Sequence, residues 1–317
     1  MESLHGRVTL HRVLPPDYDE FVHRLGELMG SKDPRRFPGP NPCSLERADF
    51  RKLTSQPYWV CEKTDGIRLM CMCFTTRDNK QVCCVVDRSM AFYLLPLRNL
   101  PTATFQGTVM DGELAFNKCE GVWQLLCFDA YVLCGSPIGS RPFSRRLECM
   151  RRTMTPYSPD ASDAVLLRMK DFVSLTRFDT YMDLETVKRN CYDIDGLILT
   201  PEHTPPCAGR CPDLLKLKTH HTVDFLILPD GMSLAVYDTS RHEHVPVARL
   251  GLPGPSPRPP PGCIVECSKG SKGTWDVVDV RRDKTTANDM LTYTKTQVNM
   301  KEAITYDDLM RVMRIGV

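Results

Sequence analysis

Charge of one sign is what this chain most nearly lacks: 41 Lys and Arg stand against 39 Asp and Glu in 317 residues, a formal net charge of +2. So weak a field excludes nucleic-acid binding by a generally basic surface, and any polyanion site must be local. Long hydrophobic runs are missing too. No uninterrupted apolar stretch reaches about 18 residues, and the opening MESLHGRVTLHRVLPPDYDE has no apolar signal-peptide core. Neither a secreted nor a membrane-spanning protein is expected. Ligand-like cysteine spacing is also scarce. Of 15 cysteines, only Cys207/Cys211 and Cys263/Cys267 are locally paired at ligand-like separation, and neither pair has a CxxC or HxxxH counterpart. Neither structural zinc nor a disulfide framework is expected. Cys71, Cys73, Cys83, Cys84 and Cys127 sit inside apolar runs, where cysteine acts as a small hydrophobe. An odd count without a signal peptide fits a reducing compartment.

What is present suggests two domains. Residues 1–56 read as loop-rich apart from one amphipathic helix, Asp17–Met29, with Phe21, Val22, Leu25, Leu28 and Met29 at helical spacing. From Tyr58 short apolar or alternating runs separated by turn signals read as strands: Tyr58–Glu62, Arg68–Thr75, Gln81–Asp87, Ala91–Leu95, Thr108–Phe116 and Gly121–Ala130. Ser144–Met154 reads as a basic helix and Thr180–Asn190 as another, with strands at Val165–Lys170 and Gly196–Thr200. Pro201–Pro212 reads as a loop, followed by strands Leu214–Lys218 and Val223–Leu228. Four more short strands, Ser233–Tyr237, Val245–Leu250, Gly262–Ser268 and Trp275–Val280, suggest a small β-barrel interrupted by a proline-rich loop at Pro253–Pro261. Asn288–Met313 reads as helical, with a cap at Thr305-Tyr306-Asp307-Asp308. The boundary is placed near residue 222, giving domains 1–222 and 223–317.

The strongest chemical signal is Glu62-Lys63-Thr64-Asp65-Gly66-Ile67-Arg68. Lysine becomes a nucleophile only when its surroundings free the amine lone pair, and a neighbouring cation such as Arg68 favours that. The plain alternative is a two-residue hairpin turn at Asp65-Gly66 flanked by solvated charges. Chance delivers Lys-x-Asp-Gly-x-Arg only about 0.002 times in a chain of this length, so the plain reading is disfavoured.

This segment resembles the nucleophile motif of the covalent nucleotidyltransferases, the superfamily of mRNA capping guanylyltransferases and polynucleotide ligases. Further motifs follow in the family's order. Val86-Asp87-Arg88-Ser89-Met90-Ala91-Phe92-Tyr93 is similar to the strand and turn that place an arginine at the ribose, and Val109-Met110-Asp111-Gly112-Glu113-Leu114 to the acidic motif. Cys127-Phe128-Asp129-Ala130 resembles the segment whose ring stacks on the base. Ile194-Asp195-Gly196-Leu197-Ile198-Leu199-Thr200-Pro201 resembles the motif carrying a further acid. Leu214-Leu215-Lys216-Leu217-Lys218 and Thr222-Val223-Asp224-Phe225 resemble the paired-lysine motif, and Arg281 through Asn288 the motif of the second domain. Taken singly, each could be a turn, a core ring or a solvated charge run. Seven in one order make the resemblance specific.

The resemblance implies an α+β fold: a nucleotidyltransferase domain of antiparallel sheets with flanking helices, then an OB-fold β-barrel domain with C-terminal helices. It implies an mRNA guanylyltransferase that carries GMP from GTP through Lys63 to 5′-diphosphate RNA. Lys63, Arg68, Asp283 and Lys284 form the implied catalytic set. Arg88, Glu113, Phe128, Lys170, Lys216, Lys218, Asp224 and Arg281 would join Lys63 and Arg68 around the nucleotide. Lys170 is the candidate donor to guanine O6. Glu113 and Asp195 would hold Mg²⁺ or Mn²⁺, for which carboxylate oxygens are suitable ligands. Closure of the second domain would bring Arg281, Asp283 and Lys284 to the leaving pyrophosphate. Implied partners are GTP, RNA, and an RNA triphosphatase, a cap methyltransferase or RNA polymerase II; no membrane is involved, and the location is nuclear. Neither a His-Cys-x5-Arg phosphatase loop nor a glycine-rich S-adenosylmethionine turn is evident, so those steps are expected elsewhere. An ATP-dependent ligase is the main alternative, disfavoured by Asp195 where ligases usually carry glutamate; an inactive RNA-binding scaffold is the third reading. Leu217, Asp279 and Ala287 depart from tryptophan, arginine and proline common at these places.

Overall fold

A computed structural model describes every residue except 1, 5, 252–257, 271–272, 283 and 316–317, and the side chains of 2–3, 183–187 and 315 are likewise undescribed. Asp283 and much of the proline-rich loop therefore lie outside the described residues. The chain divides into two compact units, Met1–Cys43 with Arg51–Leu217 and Met310–Val317, and Ser44–Phe50 with Lys218–Leu309. The division falls at Leu217/Lys218 rather than at residue 222, and each unit takes in a short distant segment.

The first unit contains two sheets. Nine strands form the larger, in the order Glu2–Leu4, Val8–Arg12, Phe92–Leu94, Gln81–Val86, Ile67–Thr75, Thr108–Asn117, Val122–Leu133 and Ser136–Pro137, with Leu166–Met169 added in parallel to Val122–Leu133. Ile67–Thr75 is apolar along most of its length because both its faces are covered. Leu69, Cys71 and Cys73 enter one core with Phe143, Leu147 and Met150 of helix Phe143–Met154. Met70, Met72 and Phe74 enter another with Phe21, Val22 and Leu25 of helix Asp17–Met29. The five apolar-run cysteines are buried, as their setting suggested. The smaller sheet runs Val173–Ser174, Tyr58–Thr64, Ile194–Pro201, Gly209–Lys218 and Pro40–Ser44.

Tyr58–Thr64 and Ile67–Thr75 belong to different sheets, so Asp65-Gly66 is a crossing between sheets, and the hairpin turn already disfavoured is not formed. Several expectations are corrected. The leading residues form three strands, Glu2–Leu4, Val8–Arg12 and Pro40–Ser44, each too short or too proline-rich to declare itself by periodicity. Gly209–Pro212, expected to be loop, opens a strand. Cys119 and Cys191 form a disulfide, against the expectation of none. They are 72 residues apart, so no local spacing announces them; the chain brings them together where Lys118 N–H donates to the Cys191 carbonyl at 2.8 Å.

In the second unit five strands make an antiparallel sheet, in the order Glu243–Arg249, Ser233–Asp238, Thr222–Ile227, Ile264–Lys269 and Trp275–Val280. No strand pairing among the described residues closes it into the expected barrel; a single isolated parallel bridge, Leu250 to Trp275, links its two ends. Its core gathers Val223, Phe225, Leu234, Val236, Val265 and Trp275, with Tyr293 of helix Met290–Glu302 packed against it. The helical tail is formed, as two helices separated where Ala303 takes a left-handed φ of 45°. The second, Tyr306–Ile315, opens on the expected cap: Asp308 N–H donates to Thr305 Oγ1 (3.2 Å) and Thr305 N–H to Asp308 Oδ2 (2.9 Å). Ser44–Phe50 joins this unit because Leu45 is buried, its carbonyl accepts from Asn299 Nδ2 (2.9 Å), and Glu46 pairs with Lys295 (2.6 Å).

Candidate active site

Six of the ten residues expected at the nucleotide converge on one cavity of about 470 Å³ in the first unit. Lys63, Arg68, Arg88, Glu113, Phe128 and Lys170 all line it.

Lys63 ends the strand Tyr58–Thr64, with its Nζ donating to both oxygens of Asp195, at 2.8 and 2.9 Å. A register shift explains why Asp195 reaches it. Ile194 pairs with Thr64 and Gly196 with Lys63, so Asp195 is the extra residue of a β-bulge, whose kink re-aims its side chain. Gly66 then carries the chain into the second sheet. A Cβ there would sit 2.4 Å from the Leu114 carbonyl oxygen and 2.9 Å from Glu113 Cγ, so close backbone approach alone demands glycine.

Arg68 and Glu113 are directly opposed across adjacent strands, with Asp111 two residues from Glu113 on the same face. Arg68 Nε and Nη2 donate to the two oxygens of Asp111 at 2.9 and 2.6 Å, and Nη1 donates to the Pro40 carbonyl at 2.5 Å. Tyr131 Oη donates to the same carboxylate at 2.6 Å. Burial alone would pull the Arg68 pKa down, but the Asp111 charge and hydrogen bonds outweigh it and hold the guanidinium above its ordinary value. Gly39 leaves room for this pair: a Cβ there would meet Arg68 Nη2 at 2.6 Å. Arg68 is thus a buried, fixed cation.

Glu113 has the opposite character. Burial raises its pKa despite the nearby Lys170, Lys63, Arg68 and Arg88. A desolvated carboxyl in a ring of cations, facing a cavity, is a fitting oxygen donor for a divalent cation. Asp195 is the other expected ligand, and its two oxygens are engaged by Lys63.

Phe128 reaches the cavity through a second bulge. Asp111 pairs with Asp129 and Gly112 with Cys127, which leaves Phe128 as the extra residue. Arg68 Cζ lies 5.7 Å from its ring centroid, within cation–π range. Lys170 is buried, donating to Thr64 Oγ1 (2.7 Å) and the Glu62 carbonyl (3.0 Å), with the Glu62 carboxylate at 3.8 Å. Two of its three N–H donors are thereby assigned. Arg88 sits on a turn organised by Asp87, which accepts from Ser89 N–H (2.9 Å), Ser89 Oγ (2.6 Å) and Ala91 N–H (3.0 Å). Arg88 is exposed at the rim, yet loss of hydration in the concave wall, then the Arg68 charge, lowers its pKa.

Lys216 and Lys218 alternate with buried Leu215 and Leu217 on Gly209–Lys218 and share a strand face with Leu214, which lines the cavity. Neither lysine lines it. Asp224, Arg281 and Lys284 belong to the second unit and form a cluster of their own. Asp224 accepts from Arg281 Nη1 (3.1 Å), Asn288 Nδ2 (3.4 Å) and Lys284 Nζ, while its backbone N–H donates to Asn288 Oδ1 (2.9 Å). Asp224 is the organiser of that cluster rather than a lining residue.

Sequence reasoning missed three supports. Asp111 went unassigned although it neighbours Glu113. Arg146, read only as part of a basic helix, is buried and bonds Asp129 through Nε (2.8 Å) and Nη2 (2.9 Å). Lys188 bonds the buried Glu62 at 2.9 Å, bracing the strand next to Lys63. An arginine at an apolar-face position of an amphipathic helix was the available signal for Arg146.

A family model described as "mRNA capping enzyme, catalytic domain" matches residues 9–220, and one described as "mRNA capping enzyme, C-terminal domain" matches 235–310. An mRNA-capping enzyme subunit alpha of Neurospora crassa is 25% identical, the alignment covering 86% of this chain and 83% of that protein. The Saccharomyces cerevisiae subunit alpha is 32% identical over 64% of this chain and 50% of its own length. A Danio rerio mRNA-capping enzyme is 28% identical over 64% of this chain and 36% of its own. The chain thus aligns with half or less of the last two. Among solved structures, a mycobacterial DNA ligase D complexed with ATP and MES is a distant likeness, with a TM-score of 0.45 and 13% identity over 77% of this chain and 94% of that one.

Proposed function

This chain belongs to the mRNA capping enzyme family, and from that premise we propose that it is an mRNA guanylyltransferase that works through a Lys63–GMP intermediate. The single observation that carries the reading is the Lys63 amine, held by Asp195 inside a cavity whose other walls carry Arg68, Arg88, Glu113, Phe128 and Lys170.

Asp195 keeps the amine in the cavity and lies within reach of its proton. The freed lone pair forms a bond to the α-phosphorus of GTP, the bond from that phosphorus to the bridging oxygen breaks, and pyrophosphate leaves with the electron pair. Nucleotidyl transfer rests on positioning and charge neutralisation, so the fixed Arg68 charge and the rim Arg88 serve the phosphates and ribose. Phe128 offers a π-face to guanine, and Lys170 an N–H to its O6. A divalent cation held by Glu113, joined by Asp195 once that carboxylate is released from Lys63, would draw charge from the α-phosphate. In the second step an oxygen of the RNA 5′-diphosphate bonds to the same phosphorus, the P–N bond breaks, and Lys63 recovers its proton. Arg281 and Lys284 are directed at Asp224, so their use at pyrophosphate requires a phosphate to replace that carboxylate. Asp283 is proposed for this group on the motif alone. A nuclear location and work alongside an RNA triphosphatase, a cap methyltransferase or RNA polymerase II belong to the same proposal.

Incubation with α-labelled GTP and Mg²⁺ or Mn²⁺ is expected to leave an acid-labile, alkali-stable label on the protein. Lys63→Ala should erase it. Label taken from ATP rather than GTP would replace this reading with the ligase one, and RNA retention without any label would leave a scaffold.

A further inference from the structure

Beside the main cavity lies a smaller one of about 330 Å³, also within the first unit. Arg35, Arg36, Asn41, Ser89 and Gly209 line it, and Arg88 and Ser89 are common to both cavities. Three guanidinium groups face this space, and no carboxylate is among its lining residues.

These charges are poorly balanced. Arg35 pairs with Asp19 at 3.2 Å, but both partners are exposed, and such a pair holds its cation weakly. Arg36 and Arg88 make no ion pair among the described residues. Arg88 already has its pKa lowered by its surroundings. Gly209, at a left-handed φ of 83°, gives Arg36 its seat: a Cβ there would meet Arg36 Nη2 at 2.6 Å. A guanidinium laid on a glycine backbone, beside two more and with no carboxylate in the lining, is suited to an anion. Planar multi-donor groups match phosphate oxygens, which a scatter of lysines would not do with the same geometry.

We propose that this basic cavity receives the 5′-diphosphate end of the acceptor RNA and delivers its terminal phosphate oxygen, past Arg88 and Ser89, to the Lys63-bound GMP. The proposal rests on the guanylyltransferase reading and deepens it. The step it serves forms one bond, from the terminal phosphate oxygen to the GMP phosphorus, and breaks one, the P–N bond. No further reactant is needed. The competing occupant is the β,γ-phosphate pair of GTP itself, and the two differ in which half-reaction feels Arg36.

The test uses the full chain with Arg36→Ala and the double substitution Arg35→Ala/Arg36→Ala. Formation of the labelled protein from GTP should stay within about twofold of wild type, which also reports that the variants fold. Chasing the isolated labelled protein with limiting 5′-diphosphate RNA should give transfer slowed about tenfold or more, the size expected on losing a charged hydrogen bond. Fluorescence anisotropy supplies an independent arm. Wild type should bind a 5′-diphosphate oligonucleotide more tightly than its 5′-hydroxyl counterpart, and Arg36→Ala should lose that preference. Undiminished transfer to RNA, or an undiminished diphosphate preference, overturns the proposal. Slowed labelling with normal transfer also overturns it and gives the cavity to GTP. Absence of label on wild type would sink the guanylyltransferase reading instead, leaving the anisotropy arm to decide the cavity.

Discussion

Two cations that line the cavity, Arg68 and Lys63, are each paired with a carboxylate drawn from a motif of similar appearance, and water separates the roles of the two pairs. Arg68 and Asp111 are 7% and 0% exposed, bonded through two donors, and enclosed by Pro40, Tyr131 and two aromatic rings. Lys63 and Asp195 are 23% and 28% exposed. A buried pair cannot part without stranding a charge, whereas a partly exposed one can exchange its partner for water, metal or phosphate. One pair is therefore scaffold and the other is reagent. Burial, not residue type, assigns the parts.

Removing one partner from each pair gives the largest contrast. Arg68→Ala leaves the Asp111 carboxylate buried without its cation and should cost about 3–5 kcal/mol of stability. Lys63→Ala should cost under about 1 kcal/mol while abolishing the label. Urea denaturation followed by circular dichroism reads both, and equal losses would erase the distinction between them.

The next effect concerns Glu113, which is partly buried beside the first pair and faces the cavity. Its folded-state pKa is raised by burial, so the folded chain holds that proton more tightly than the unfolded chain does. The associated stability is full below the ordinary carboxylate value and is lost as pH rises toward the raised one. Glu113→Gln should therefore melt like wild type near pH 4 and higher than wild type at neutral pH without metal, although it forfeits labelling. A difference in melting temperature that stays flat with pH would show that Glu113 carries no such penalty.

Phe128 should give the smallest effect. Base stacking on an aromatic side chain is worth about 1–3 kcal/mol, so Phe128→Ala should raise the GTP concentration for half-maximal labelling about tenfold, with Phe128→Leu falling between. Stability should change little, because the ring is only partly buried. A large loss of stability would instead make the ring part of the Arg68 scaffold.

Much of this was legible in the sequence, for a physical reason. Motif chemistry is local: Lys63 and Arg68, Asp111 and Glu113, and Lys216 and Lys218 lie within a few residues of one another. Strand periodicity then fixes which faces they share. What the sequence withheld depends on register and on distant pairing. Asp195 and Phe128 reach the cavity through bulges, each a single-residue slip that no propensity encodes. Arg146 was not singled out because its partner, Asp129, lies 17 residues away on another element. The Asp65-Gly66 pair left a hairpin turn open as an alternative because its neighbours are both strands, and only their pairing separates them into two sheets. The Cys119–Cys191 bridge and the Leu45 anchor to Asn299 are long-range for the same reason. The sheet of the second unit, which no strand pairing among the described residues closes, was read as a barrel because strand count carries no information about closure.

The crossing at Gly66 has one more consequence. Lys63 and Arg68 stand on separate walls, so the gauge between them is not fixed by the rise of a single strand. It is set by how deeply the Leu114 carbonyl nests into the hollow at residue 66. A methyl group there would act as a shim, spreading the jaws without altering any reactive group, and purine-sized fit would become a matter of clearance alone.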